Sequence, residues 1–132
     1  MRIMIDTNIL ISIIFFPSAR MNEVKTKLSK DHRIVICSYV IDELKAVTSR
    51  KFPHKLKALD EFFTQLPFEL VYTPEFYQME GIPDIRDDKD KPILASAIIE
   101  NVDVLISGDK DFNDIEIDRP EILTPSEFLE KY

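Results

Sequence analysis

Short apolar runs recur along this chain at spacings that leave room for a helix between them. Ile3 to Ile5, Ile34 to Cys37, Leu70 to Tyr72 and Val104 to Ile106 read as buried strands, and Ile122 with Leu123 as a weaker one. The intervening stretches carry helical stripes. Met21, Val24 and Leu28 form one, Val40, Leu44 and Val47 a second, and Leu56, Leu59, Phe62, Phe63 and Leu66 a third. Pro53 sits where a new helix can open, so residues 39–51 and 53–66 read as consecutive helices. A further helix is expected from about Lys91 to Asn101, with Ile93, Leu94, Ala97 and Ile98 as its core face, and a short one from Ser126 to Tyr132. Continuous apolar strands alternating with amphipathic helices specify a parallel sheet covered on both faces, so the class is α/β.

With 132 residues there is material for one well-packed domain, expected to span 1–132. The run from Ile9 to Phe16 is interrupted upstream by Asp6 and Asn8 and falls far short of the roughly 20 residues that span a bilayer, so it reads as core and not as a leader or membrane segment. The single Cys37 cannot form an internal disulfide, which fits a reducing, cytoplasmic setting, and it reads as a small buried hydrophobe. Net charge is −7, yet Arg20 to Lys57 holds ten basic and four acidic side chains, a local balance of +6 that leaves −13 elsewhere. That asymmetry suits either solvated helix faces or a segment that meets polyanion.

In open parallel sheets ligands bind beyond the carboxyl ends of the strands. Four acids fall at such positions: Asp6 directly after the first strand, Glu43 in the second turn of the helix that Ser38 is placed to cap, Asp90 at the start of the Lys91 helix, and Asp109 just after the fourth strand. Two unit charges about 5 Å apart repel by roughly 3 kcal/mol at an effective dielectric near 20, so four converging carboxylates need compensation. An oxygen-only donor set, with neither His nor Cys beside it, selects a hard cation, Mg²⁺ or Mn²⁺. On this reading a metal meets Asp6, with Asn8 orienting it by a hydrogen bond; the simpler reading makes Asp6 a helix cap. Glu43, Asp90 and Asp109 with Asp111 have plain readings too, as an exposed helix residue, a solvated charge run and a turn. His32 and His54 are expected to be non-catalytic, and Phe15, Phe16, Phe62, Phe63 and Phe112 to be core. A receiver domain would need an acidic pair after the first strand, where only Asp6 stands, and an EF-hand in DDKDKPILASAI lacks its glycine and closing Glu.

DTNIL at 6–10, SYVIDEL at 38–44, DKPILASA at 90–97 and SGDKDF at 107–112 resemble, in order and spacing, the four signature blocks of PIN domains. The chain is most similar to the small single-domain PIN proteins known as VapC-like toxins of toxin-antitoxin pairs. The resemblance implies a three-layer α/β/α sandwich with a central, mostly parallel sheet and a metal-dependent ribonuclease. It implies Asp6, Glu43, Asp90 and Asp109 as the catalytic and metal-holding acids, with one or two Mg²⁺ or Mn²⁺ ions. Ser107 would match a hydroxyl that helps to position the site, Thr7 and Asn8 the polar pair after the first acid, and Asp111 a water-mediated contact. Lys89 and Lys91 stand where more acids are expected, which leaves the third acid open among Asp87, Asp88 and Asp90, with Asp90 preferred by its spacing to Ala95 and Ala97. Single-stranded RNA is the expected substrate, cut to leave a 5′-phosphate and a 3′-hydroxyl, with Arg50, Lys51 and Lys55 as candidate backbone contacts. An antitoxin protein and a homodimer are the expected partners, without a membrane. The alternative keeps the scaffold without the chemistry, as a catalytically silent PIN-like module that binds RNA or protein.

Overall fold

In the computed structural model, which describes residues 1–75, 81–82, 90–108, 112 and 115–132, the strands are β1 (Arg2–Ile5), β2 (Arg33–Cys37), β3 (Glu69–Val71), β4 (Val104–Ile106) and β5 (Glu121–Leu123). They form one sheet in the order β3-β2-β1-β4-β5, with every neighbouring pair parallel. The helices are α1 (Thr7–Phe15), α2 (Ala19–Asp31), α3 (Ser38–Lys51), α4 (Leu56–Gln65), α5 (Lys91–Ile99) and α6 (Pro125–Lys131), with a 3₁₀ turn at Pro53–Lys55 leading into α4. The expected strands and helices are therefore present, with ends moved by one to three residues.

Ile3, Met4 and Ile5 of β1 and Val104, Leu105 and Ile106 of β4 are all buried. Consecutive strand residues point to opposite faces, so burial of every one requires cover on both sides. Two groups of helices supply it: α3 packs on α1, α4 and α5, while α2 packs on α6 and β2. The result is the expected three-layer α/β/α sandwich, and its sheet is parallel throughout.

Local sequence explains several helix ends. Ser18 caps α2 by accepting from the Met21 N–H (3.2 Å). Thr124 and Glu127 form a reciprocal capping box at α6, with Pro125 at its first position. Beyond α5, Asn101 takes a left-handed conformation (φ 53°), and the Val102 N–H returns to the Ala97 carbonyl (3.2 Å). The start of α3 differs from expectation. Cys37, and not Ser38, occupies the cap position, and Ser38 is already the first helical residue. The capping hydroxyl comes from outside the segment: Thr73, just past β3, accepts from the Tyr39 N–H (3.0 Å), while its own N–H donates to Ser38 Oγ (3.0 Å).

The two ends of the sheet differ in chemistry. At the amino-terminal end Arg2 is tied to Glu69 and donates to the Glu100 carbonyl (2.5 Å), its N–H meets Asp103 (2.8 Å), and Arg119 pairs with Asp103. The hydrogen bond that Arg2 donates to Glu69 raises the Arg2 pKa. Charges on that edge pair with one another. Of the acids picked out in the sequence, Asp6, Glu43 and Asp90 lie toward the other edge.

Candidate active site

With β1 in the middle of the order β3-β2-β1-β4-β5, the chain steps outward through β2 and β3 and then crosses to β4 on the other side of β1. The topological switch point therefore lies between β1 and β4, where a crevice opens in folds of this kind. Asp6 and Ser107 are the residues that leave those two strands. Ile5 pairs with Ile106 in register, and the Asp6 N–H donates to the Ile106 carbonyl (3.1 Å).

Asp6 is 4 % exposed. Its Oδ1 accepts from the Ile9 N–H (3.0 Å) and so caps α1, and its Oδ2 accepts from the Ser107 hydroxyl (2.5 Å). The amino-terminal end of α1 also carries partial positive charge that favours an anion. Both sequence readings of Asp6 thus have a physical basis: it is a helix cap, and it is a buried carboxylate at the switch point. The two hydrogen bonds go far to offset its burial, so burial alone does not demand a cation. Ser107, itself 2 % exposed, makes the contact expected of Asn8, whose side chain is exposed.

Glu43 lies five residues into α3, about 7.5 Å along its axis from Ser38. Its Oε2 accepts from the Tyr39 hydroxyl (3.2 Å), and the residue is half-buried. Asp90 is the cap-position residue of α5, half-buried, with its carbonyl accepting from the Leu94 N–H (3.0 Å) and one carboxylate oxygen shielded from solvent. Ile93 and Leu94 are buried, as the spacing of three and four requires. α3 packs against both α1 and α5, so the helix carrying Glu43 touches the two helices that begin at Asp6 and Asp90. Asp109 and Asp111, and the alternatives Asp87 and Asp88, lie outside the described residues.

The donors fit a hard divalent cation in kind. They are all oxygen, and Thr7 adds a buried hydroxyl with no hydrogen-bond partner among the described residues. Among the described residues no three His, Cys, Asp or Glu side chains are grouped closely enough to hold a metal ion, and Asp109 and Asp111 lie outside those residues.

The basic candidates lie elsewhere. Arg50 and Lys51 are exposed in the last turn of α3, roughly 20 Å along the helix from Ser38, where positive charge complements the helix end. Lys55 donates to the Phe15 carbonyl (3.1 Å) and lies 5.6 Å and 5.4 Å from the ring centres of Phe15 and Phe16. That lysine fastens the end of α1. Phe15, Phe62 and Phe112 are buried, whereas Phe16 is 54 % exposed. A cleft of about 410 Å³ lined by Ser29, His32, Arg33, Phe68 and Glu69 opens at the amino-terminal side of β2, away from Asp6. Tyr39 and Thr73 are the contributors that the sequence reading missed. The four-residue spacing of Tyr39 and Glu43 could have revealed the first; nothing local signals the second.

The family model for the PIN domain matches residues 2–111, a span that includes the first three signature blocks and all but the last residue of the fourth. The chain belongs to the PIN-domain family. Two solved structures share the fold of this PIN domain. VapBC2 from Rickettsia felis, bound to a DNA fragment from its promoter, is 25 % identical with a TM-score of 0.72, over 93 % of this chain and 97 % of the other. DNA-bound VapBC from Salmonella typhimurium is 17 % identical with a TM-score of 0.70, over 95 % and 98 %. A search of curated proteins returned no match. Among the described residues no helix is long and apolar enough to cross a membrane.

Proposed function

We propose that this PIN domain is a metal-dependent endoribonuclease that hydrolyses single-stranded RNA and serves as the toxin of a toxin-antitoxin pair. The observation that carries the reading is the Asp6 carboxylate, buried at the switch point and held by α1 and Ser107 in a chain of the PIN family. Asp6, Glu43, Asp90 and Asp109 would hold one or two Mg²⁺ or Mn²⁺ ions, with Asp111 acting through water and Thr7 as a nearby hydroxyl. When bound, such an ion lowers the pKa of a coordinated water and offsets charge on the leaving oxygen.

The protein's own part is placement. Ser107 and the Ile9 N–H fix both oxygens of Asp6, so the carboxylate reaches the reaction already ordered. Glu43 is steadied by Tyr39. Arg50 and Lys51, at the far end of α3, would meet the strand at a distance from the scissile bond, giving salt-sensitive contacts without sequence preference. An antitoxin as partner is supported by the two VapBC structures that share the fold. A homodimer and a cytoplasmic setting belong to the same proposal.

The test is to incubate unstructured RNA with the purified protein in Mn²⁺ or Mg²⁺ and identify the new ends. The proposal expects 5′-phosphate and 3′-hydroxyl ends, and no cleavage in EDTA. Cyclic-phosphate ends, or cleavage that persists in EDTA, would overturn it. Both Asp6 oxygens already accept hydrogen bonds from the protein itself, which favours a silent RNA- or protein-binding scaffold as the second reading. RNA binding without cleavage under any of these conditions would establish that one.

A further inference from the structure

We propose that Tyr39 is a positioning residue for Glu43, an assignment that rests on the metal-nuclease reading above. The two residues are one helical turn apart on α3 and so share a face. The phenol donates to Glu43 Oε2 (3.2 Å), and the Tyr39 backbone N–H is held by the Thr73 hydroxyl (3.0 Å). Thr73 is in turn fixed through its own N–H to Ser38 Oγ (3.0 Å). The tyrosine is therefore anchored at its backbone by the exit of β3 and anchors a carboxylate at its tip.

The chemistry of the partner matters. An ionised carboxylate has about four lone-pair sites, and a neutral phenol occupies one of them while leaving the negative charge intact. A lysine or arginine there would neutralise the anion that a cation needs; a phenylalanine would leave it free to rotate. A neutral donor orders Glu43 and keeps it acidic, which is the role of hydrogen-bonding partners behind metal ligands in general. Simple helix stabilisation by the same pair would involve no cation, so the two roles separate in a binding experiment.

Mn²⁺ binding measured by isothermal titration calorimetry to the full chain, for wild type, Tyr39→Phe, Glu43→Gln and the double variant, tests this. Tyr39→Phe is expected to weaken Mn²⁺ binding about 10-fold, the low end for loss of a partner behind a metal ligand. In the Glu43→Gln background the same change should have no further effect. Tyr39→Gln, which restores a neutral donor, should recover part of the affinity and guards against a Tyr39→Phe protein that folds poorly. Wild-type affinity in folded Tyr39→Phe, or an equal loss in the presence and absence of Glu43, would overturn the assignment. Wild-type affinity in Glu43→Gln would overturn it while leaving the metal site standing. No binding to wild type would overturn the nuclease reading and this assignment together.

Discussion

Asp6 is a helix cap and, in the function proposed above, a metal ligand, two roles that a sequence presents as alternatives. An aspartate before an apolar helix is a good cap, and an aspartate after a central strand is a good ligand; a carboxylate has two oxygens, and here Oδ1 serves α1 while Oδ2 faces Ser107. Ser107→Ala is expected to lower stability by about 1–3 kcal/mol, because it removes a hydrogen bond to a buried carboxylate; urea denaturation measures it. Buried Thr48 is the opposite case. Its hydroxyl has no hydrogen-bond partner among the described residues, so Thr48→Val should leave the urea midpoint unchanged or raise it. His32 contacts Phe128 and Tyr132 edge-on, at 5.9 Å and 6.2 Å between ring centres. Burial pushes its pKa below the ordinary 6.5, and the amino-terminal ammonium beside it adds to the shift. The unfolded chain then binds more protons than the folded one across this interval. The contribution of His32 to stability is full above the ordinary pKa and is lost as pH falls through it toward the lowered folded value. Urea midpoints between pH 7.5 and 5 should fall less in His32→Gln than in wild type, and parallel curves would refute the assignment.

Elements were legible where the signal is local. The five strands follow from continuous apolar runs, and the helices from stripes that the structure buries, such as Val40 and Leu44 or Leu59 and Phe62. The cap of α3 was not legible, because its hydroxyl comes from Thr73, 34 residues beyond Tyr39, and only the pairing of β2 with β3 brings the two together. Thr73→Val should therefore lower stability by about 1 kcal/mol, the typical loss for a cap, although Thr73 lies outside the helix it caps; a shift in thermal midpoint would register this. Lys55 shows a related limit. Its position within a basic segment suggested a nucleic-acid contact, but its ammonium is directed to the Phe15 carbonyl. Charge can be counted in a sequence; its direction requires the packing of α4 on α1.

At the scale of the whole molecule, the strand order converts a list of acids into a place. Only once β1 and β4 are neighbours do Asp6 and Ser107 meet across 101 positions of sequence. The fold class could be read from apolar strands alternating with amphipathic helices, and the PIN family from four short blocks. Asp109 and Asp111 lie outside the described residues. The central claim is that Asp6 is a metal-holding acid as well as a cap. Thermal unfolding of wild type and Asp6→Asn across a Mn²⁺ titration separates the two roles, because asparagine still caps a helix. A ligand that binds only the folded state at about 100 times its Kd adds about 2.7 kcal/mol of stability. Both proteins should melt within a few degrees of each other in EDTA, and only wild type should rise with Mn²⁺. Equal rises in both, or none in wild type, would contradict a metal-holding role for Asp6.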